Sequence, residues 1–240
     1  NAYNYKQKKL SNLLYSINEI EGLERIRYTT SHPKDFSDDL IKAHFDCEKL
    51  MPLLHLPIQS GSNKILKDMN RNHTIEEYLD IINKLKETKT NIKFSSDFII
   101  AYPGETDNDF KQTLDLLNKI KFINSYSFIF SSRPGTPAAK MVKIEEQIAR
   151  ERLLIFQNRA NFLKTEYRNQ LINFRAKVLF ENKLKNENEY FGRDEYFNSV
   201  VVKNKADLRG KTLFVKINNC NQNTLFGEVT NNNDYKEYAA

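Results

Sequence analysis

Apolar runs alternate with helical patterns along the first 142 residues of the chain. Short runs rich in apolar residues predict strands, and segments whose apolar residues recur every three to four positions predict helices. The predicted strands are LERIRYTT (23–30), LMPLLHLPI (50–58), IKFSSDFIIAYPGET (92–106) and SYSFIFSSRPGTPA (125–138). The predicted helices are residues 6–20, 35–45, 74–88 and 107–122, with Ser37 as a cap and Thr74 and Glu77 as a capping box.

The predicted strands are too continuously apolar to keep one face in water. This composition indicates parallel strands covered by helices, an α/β fold. Sheets of this kind bind ligands at the carboxyl ends of their strands, where the loops are free to vary. Polar segments stand at these ends: QSGS (59–62), Asp97 with YPGET (102–106), and SSRPGTPA (131–138).

The pattern changes after residue 142. Residues 143–172 are charged and amphipathic without Gly or Pro, which predicts a connecting helix. The period then becomes two in FRAKVLFEN (174–182), YFNSVVVKN (196–204), KTLFVKINNC (211–220) and NTLFGEVT (223–230), which predicts a small antiparallel barrel. The predicted domains are therefore 1–142 and 173–236, joined by 143–172.

Composition narrows the function. A formal charge of +6, from 37 basic and 31 acidic residues, leans towards an anionic partner such as nucleic acid. No apolar run reaches the roughly 18 residues of a membrane span, and the start has no signal-peptide core, which favours the cytoplasm.

The cysteines and histidines show no metal-binding spacing. The only two cysteines, Cys47 and Cys220, are far apart in sequence, so this chain by itself is not expected to ligate zinc or an iron–sulfur cluster through thiolates. His32, His44, His55 and His73 are interpreted as structural or surface residues.

Two kinds of chemistry suit the polar residues at the strand ends. Asp97 and Glu105 are a possible acid–base pair, but no nucleophile elbow or lysine-containing phosphate loop accompanies them. Alternatively, a polar small molecule binds across the strand ends, because Gln and Asp suit ribose hydroxyls and Arg suits a carboxylate. The residues of this second reading are Gln59, Ser60, Ser62, Arg71 and Asp97. Turn and helix-cap roles explain the same residue types equally well from spacing alone.

Four blocks carry a family resemblance. RIRYTTSHP, HLPIQSGSNKILKDMNR, SSDFIIAYPGETDNDF and SFIFSSRPGTPAAKM resemble the central blocks of the radical S-adenosylmethionine (SAM) methylthiotransferases, in the same order and at similar separations. SSRPGTPAAKM is more similar to members that modify tRNA than to those that modify a ribosomal protein. The resemblance implies a partial (βα)6 barrel that lacks its first strands, followed by a TRAM domain, a barrel of the oligonucleotide-binding type.

The resemblance also implies roles for individual residues. Gln59 and Asp97 would hold the ribose of SAM, Arg71 its carboxylate, and Ser131 its adenine or methionine part. Ser60 and Ser62 stay open between cofactor binding and helix capping. Family members usually have glycine where Ala101 stands.

The implied reaction adds a methylthio group to C2 of N6-isopentenyladenosine next to the tRNA anticodon, with a flavodoxin or ferredoxin as reductant. The family's [4Fe-4S] clusters are held by cysteines that this sequence lacks, so we expect the 240-residue polypeptide to be inactive alone. Two alternatives are a non-catalytic RNA-binding protein and a sister enzyme acting on threonylcarbamoyl-adenosine or a ribosomal protein.

The tail mixes basic and aromatic residues, a composition that suits RNA backbone contacts and base stacking. By resemblance to a TRAM domain, the tail would bind the tRNA anticodon stem-loop. Arg209 and Lys211, which bracket Gly210, are the first predicted contacts, with Lys203 and Lys205 beside them. Core aromatics with a solvated charged face are the alternative.

Overall fold

The computed structural model describes residues 2–29 and 32–230. The chain divides into two compact units, Asn1–Leu163 and Lys164–Ala240. Thr30 and Ser31 of the block RIRYTTSHP, and residues 231–236 of the predicted tail domain, lie outside the described residues. Among the residues described, every helix is too short or too polar to cross a membrane.

The first unit combines a parallel sheet with surrounding helices. Its strands are β1 (Asn4–Tyr5), β2 (Lys8–Lys9), β3 (Leu53–His55), β4 (Lys93–Ile100) and β5 (Asn124–Ile129). Its helices are α1 (Leu10–Asn18), α2 (Asp38–Asp46), α3 (Asn63–Asp68), α4 (Ile75–Thr88) and α5 (Asp107–Ile120). A long helix, α6 (Glu146–Gln170), begins in this unit and ends in the second.

The sheet has the order β3-β4-β5, and both strand pairs are parallel. Side chains alternate along β4. Phe94, Ser96, Phe98 and Ile100 are buried against the helices, whereas Ser95, Asp97 and Ile99 point to the opposite face. One face of the sheet therefore belongs to the core, and the other carries polar groups.

The core under the sheet is built from aliphatic and aromatic side chains of β3, β4 and β5 and of the helices that pack against them. The ring of Phe98 lies 5.6 Å from that of Phe122 and 4.7 Å from that of Phe156 in α6. Burying one such side chain stabilises the fold by roughly 1.5–3 kcal/mol. This packing fixes the strand ends at which the polar residues stand.

Two predicted strands are much shorter than expected. Among the described residues 23–29 of the first predicted strand, only Ile26 pairs, through a parallel bridge to Leu50. Regular pairing of β3 covers only Leu53–His55, because Pro52 and Pro57 flank it and proline cannot donate to the sheet. The pairing resumes after Pro57 as a single bridge between Gln59 and Phe98.

Helix starts follow the predicted capping chemistry. Thr74 and Glu77 form the predicted capping box of α4. Thr106 and Asp109 form a second box at the start of α5. Ser37 precedes α2 as expected, but its side chain makes no capping hydrogen bond.

The second unit contains a closed five-stranded barrel. Its strands are β6 (Arg175–Lys183), β7 (Glu189–Arg193), β8 (Ser199–Lys203), β9 (Thr212–Cys220) and β10 (Thr224–Val229), in the order β10-β8-β7-β6-β9. The sequence predicts four strands and misses β7. The prediction of a purely antiparallel barrel is also wrong, because β10 closes the barrel by pairing parallel with β8.

Candidate functional site

A cavity of about 860 Å³ opens at the carboxyl ends of β4 and β5. Gln59, Arg71, Asp97 and Ser131 all line it, so four of the six predicted cofactor residues converge although they span more than 70 positions of sequence. Its volume lies in the roughly 300–1,000 Å³ range of small-molecule sites.

Gln59 lines this cavity from a strained backbone position. Its φ of 76° lies in the left-handed region that non-glycine residues rarely adopt. Its N–H donates to the carbonyl of Asp97 at 2.9 Å, and its carbonyl accepts from the N–H of Ile99 at 2.9 Å. These two bonds hold the strained turn in place, and strain held in this way is a frequent feature of ligand sites.

Asp97 faces the cavity from the middle of β4 and contacts His55 of β3. Its Oδ2 lies 3.3 Å from Nε2 of His55, whose Nδ1 lies 2.9 Å from Oγ of Ser95. The Tyr126 ring packs edge-on against the imidazole, with 6.1 Å between ring centroids. Sequence reasoning missed this contact of His55, which was interpreted as a structural or surface residue.

Arg71 reaches the cavity from the segment after α3. Its backbone N–H donates to the carbonyl of Leu66 at 2.8 Å, which fixes where this segment leaves the helix. Burial lowers the pKa of its guanidinium, and the charge of Asp97 opposes that shift. Arg71 and Asp97 therefore place a cationic and an anionic group within electrostatic reach of each other.

Ser60 and Ser62 lie outside the cavity lining. The Ser60 hydroxyl lies 3.4 Å from that of Thr113 in α5 and accepts from the Ser62 N–H. The Ser62 hydroxyl caps α3 by accepting from the Ile65 N–H and donates to Asp109 at 2.6 Å. Both hydroxyls are thus used to dock α3 against α5.

Glu105, the other half of the acid–base alternative, is also outside the cavity lining. It is buried, where its carboxylate accepts from Arg152 of α6 at 2.8 Å and from the N–H of Ala101 at 3.2 Å. Burial raises the pKa of this carboxyl, and the Arg152 charge opposes the rise. The geometry gives Glu105 a structural ion pair and does not bring its side chain to Asp97.

Aromatic side chains form part of the cavity wall. Phe128 of β5 lines it with 61 % of its surface exposed, and Phe130 packs against Tyr102 at 4.9 Å between ring centroids. Arg133, in the loop after β5, adds a second guanidinium to the lining. The cavity thus offers an apolar wall beside its charged groups.

The four predicted RNA-binding residues of the barrel differ in whether their side chains form ion pairs with nearby carboxylates. The Arg209 guanidinium is held by Asp207, with Nε at 3.0 and 3.1 Å from the two carboxylate oxygens. Lys203 lies 3.7 Å from a carboxylate oxygen of Glu189. Lys205 and Lys211 form no ion pair within the described part of the chain.

Comparisons with known proteins point to one family. The Radical SAM superfamily profile matches residues 3–117. The chain is 50 % identical over 240 residues to the tRNA-2-methylthio-N(6)-dimethylallyladenosine synthase of Pelagibacter ubique, a match that covers 98 % of this chain and 54 % of the relative. The synthase of the same name from Rickettsia akari is 46 % identical over 236 residues, covering 95 % of this chain and 53 % of the relative.

This chain belongs to the radical SAM methylthiotransferase family. It spans about half the length of the curated relatives that it matches. Radical SAM methylthiotransferases use SAM and iron–sulfur clusters, so both groups have to be compared with the binding residues that this chain offers.

The cavity has the size and polar groups to bind SAM, whereas the described residues do not provide the ligands of an iron–sulfur cluster. Carboxylate, amide and guanidinium groups converge on a space large enough for a nucleoside that carries an amino acid. By contrast, no three potential metal ligands come together in residues 2–29 and 32–230. Cys47 is buried and Cys220 belongs to the barrel, so the two thiols of the chain do not form a cluster site.

Ala101 adopts a backbone conformation that favours glycine, the residue that the family resemblance implies at this position. Its φ is 58°, in the left-handed region, where a side chain costs roughly 1–2 kcal/mol. Ala101 is buried and leads into the Pro-Gly turn, where Gly104 also has a positive φ, of 81°. The methyl group is accommodated, and the cavity lining does not include it.

Proposed function

We propose that this chain provides the SAM pocket and the RNA-binding barrel of a tRNA methylthiotransferase. The reaction would add a methylthio group to C2 of N6-isopentenyladenosine next to the anticodon. The convergence of Gln59, Arg71 and Asp97 on one cavity carries the proposal, because their chemistry complements a charged nucleoside. The names of the relatives at 46–50 % identity, which are tRNA-2-methylthio-N(6)-dimethylallyladenosine synthases, support the choice of substrate.

Each cavity residue has a distinct task in this proposal. Oδ1 of Asp97 has no hydrogen-bond partner among the described residues, so it can accept from the ribose hydroxyls. The Gln59 amide would bind the same sugar, the Arg71 guanidinium the methionine carboxylate, and Ser131 the adenine or methionine part. When bound, SAM supplies the methyl group and, with an external cluster, the means to open the adenine C2–H bond.

The cluster and its reductant would be bound by residues other than those of the cavity. The cluster would be held by cysteines other than Cys47 and Cys220, and a low-potential flavodoxin or ferredoxin would reduce it. We propose that the chain without such a cluster is inactive. A tRNA substrate and a reductant of this kind suit a cytoplasmic setting.

The barrel would hold the tRNA. A closed five-stranded barrel has the strand number of the oligonucleotide-binding fold. Arginine side chains lie over aromatic rings in the barrel, with Arg175 over Phe214 at 4.0 Å and Arg193 over the exposed Phe197 at 4.1 Å. This combination of residues suits the stacking of RNA bases. A TRAM-type role over residues 173–236 is consistent with both features.

Binding of S-adenosylhomocysteine to the 240-residue chain tests the pocket without any need for a cluster. We expect Asp97→Ala to weaken binding roughly tenfold or more, because a hydrogen bond to a charged group contributes about 1.5–3 kcal/mol. Isothermal titration calorimetry measures the dissociation constant. Asp115→Ala, at an exposed position on α5, is the matched control and should leave the affinity unchanged. Equal affinities for wild type and Asp97→Ala would refute the pocket assignment.

A further inference from the structure

We propose that His55 is a positioning residue for the cofactor pocket, which its imidazole serves by fixing the carboxylate of Asp97. This inference rests on the proposed function, since it concerns how Asp97 meets the ribose. His55 is not part of the cavity lining. Its effect on a ligand would therefore be exerted through Asp97.

The register of the sheet places His55 where it can act in this way. His55 pairs directly with Ser95 across the parallel strands β3 and β4. Asp97 lies two residues further along β4, and therefore on the same face as Ser95. The imidazole can thus contact the pair partner with one nitrogen and the next residue on that face with the other.

The two ring contacts have a defined direction of donation when the ring is neutral. A carboxylate only accepts hydrogen bonds, so Nε2 of His55 must carry the proton that it donates to Oδ2 of Asp97. Nδ1 then has a lone pair and accepts from the Ser95 hydroxyl at 2.9 Å. Both ring nitrogens are occupied, which fixes the tautomer and the ring plane.

Packing restrains the ring further. Tyr126 of β5 pairs with Asp97 in the sheet register, and its ring meets the imidazole edge-on. The side chain of His55 is only 18 % exposed, whereas that of Asp97 is 31 % exposed. The imidazole is therefore a largely buried support behind a carboxylate that remains accessible.

The consequence is an asymmetric carboxylate. Oδ2 is anchored by His55, while Oδ1 has no hydrogen-bond partner among residues 2–29 and 32–230. Without the imidazole, the carboxylate would rotate and bond to water, so a ligand would have to pay for its reorientation. Preorganisation of this kind raises affinity without adding a contact to the ligand.

A double-mutant cycle on binding of S-adenosylhomocysteine tests the proposal. We expect His55→Ala to weaken binding roughly tenfold in the wild-type background and less than about twofold in the Asp97→Ala background, because coupled residues are not additive. His55→Gln should restore the affinity to within about threefold, since its amide N–H can still donate to Asp97. Ser95→Ala removes only the contact to Nδ1 of His55. It should weaken binding less than His55→Ala does and more than His55→Gln does.

The outcomes separate this inference from the pocket assignment. If Asp97→Ala weakens binding and His55→Ala does not, the pocket stands and the role of His55 is overturned. Equal losses from His55→Ala with and without Asp97 would also overturn it. A wild-type chain that does not bind the nucleoside overturns both. Thermal unfolding will show whether His55→Ala folds. If it does not, His55→Gln and Ser95→Ala replace it in the test. Wild-type affinity in both of these variants would overturn the inference, whereas the graded losses stated above would support it.

Discussion

At the scale of single residues, Asp109 joins the two loops that shape the cavity. Its carboxylate accepts from Ser62, which caps α3, at 2.6 Å and from the hydroxyl of Thr106, which caps α5, at 2.7 Å. Lys64 lies 3.5 Å away and also donates to the carbonyl of Gly104 in the Pro-Gly turn. The loops after β3 and β4 are therefore linked through one buried carboxylate.

Replacing Asp109 by Asn should reduce stability in a pH-dependent way. Burial raises the pKa of this carboxyl, but hydrogen bonds from Ser62 and Thr106 outweigh burial and lower the pKa to about 2. A lowered pKa stabilises the fold above the unfolded value of 3.8, and this stabilisation is lost as pH falls towards 2. We expect Asp109→Asn to cost about 2 kcal/mol at pH 7 and clearly less at pH 3.

Urea unfolding at pH 7 and pH 3 measures this difference. Asp115→Asn, at an exposed position of the same helix, should change the free energy of unfolding by less than about 0.5 kcal/mol at either pH. A cost for Asp109→Asn that is the same at both pH values would show that the hydrogen bonds do not depend on the charge.

The residue scale also marks the limit of what the sequence can reveal. Sequence motifs predict Gln59, Arg71, Asp97 and Ser131 as cofactor residues, and in the structure all four line one cavity. The role of His55 was not predicted, because its contact with Ser95 depends on the register between two strands that are 40 residues apart in sequence. The local sequence pattern specifies which face a side chain occupies, but it does not specify which residue stands opposite.

At the scale of elements, a buried ion pair holds the part of α6 that belongs to the first unit, residues 146–163, in place within that unit. Arg152 donates to the carboxylate of Glu105 at 2.8 Å and to its carbonyl at 3.0 Å, and its guanidinium lies over the Phe110 ring at 5.6 Å. Glu105 in turn accepts from the N–H of Ala101. The helix therefore supports the turn that follows β4.

Arg152→Met should destabilise the fold by about 3 kcal/mol at pH 7, because it leaves the Glu105 carboxylate buried without a counter-ion. Burial raises the pKa of the Glu105 carboxyl, so this group takes up a proton more readily in the folded chain than in the unfolded one. The stability contributed by protonation is complete below pH 4.5, the unfolded value, and is lost as pH rises. The cost of the substitution should consequently be smaller at pH 4 than at pH 7.

Arg150→Met is the matched control on the same helix. Arg150 pairs with Glu146 on the surface, where both side chains are more than 70 % exposed, so its loss should cost less than about 0.5 kcal/mol. Denaturant titrations of both variants provide the comparison. Similar costs for the two variants would contradict the assignment of Arg152 as the anchor of α6.

Element predictions from the sequence succeeded where the pattern was long and failed where it was short. The Thr74–Glu77 capping box and the 14-residue helices α4 and α5 follow from sequence patterns that are entirely local, whereas the Thr106–Asp109 box was not predicted. The five-residue strand β7 was missed, because residues 189–193 contain Gly192 and Arg193 beside two aromatics and give no clear alternation. The parallel closure of the barrel depends on which strands meet, which is a property of the tertiary fold.

At the scale of the whole molecule, only some of the positively charged side chains are available to bind RNA, because others form ion pairs within the protein. The chain carries a net charge of +6, but Arg209 and Lys203 of the barrel are engaged with neighbouring carboxylates. Lys205 and Lys211 keep their charges free of ion pairs within the described ranges. Of the four predicted RNA contacts, these two lysines are therefore the ones most available to bind phosphate.

Lys211→Gln should weaken binding of a tRNA anticodon stem-loop and reduce the slope of log K against log [salt] by about 1, because one phosphate contact releases about one counter-ion. Arg209→Gln should have a smaller effect, because its guanidinium already neutralises Asp207. Fluorescence anisotropy at several salt concentrations gives both quantities. Lys111→Gln, on the exposed surface of α5, controls for the loss of one positive charge. A salt slope that is unchanged in Lys211→Gln would exclude this lysine from the RNA contact.

The aromatic wall of the cavity has a practical consequence. Phe128 is mostly exposed at the ligand space, and the chain contains no tryptophan. An indole placed at position 128 would be the sole fluorophore of its kind in the protein. Its emission colour would report directly on whether water or a nucleoside occupies the space beside it.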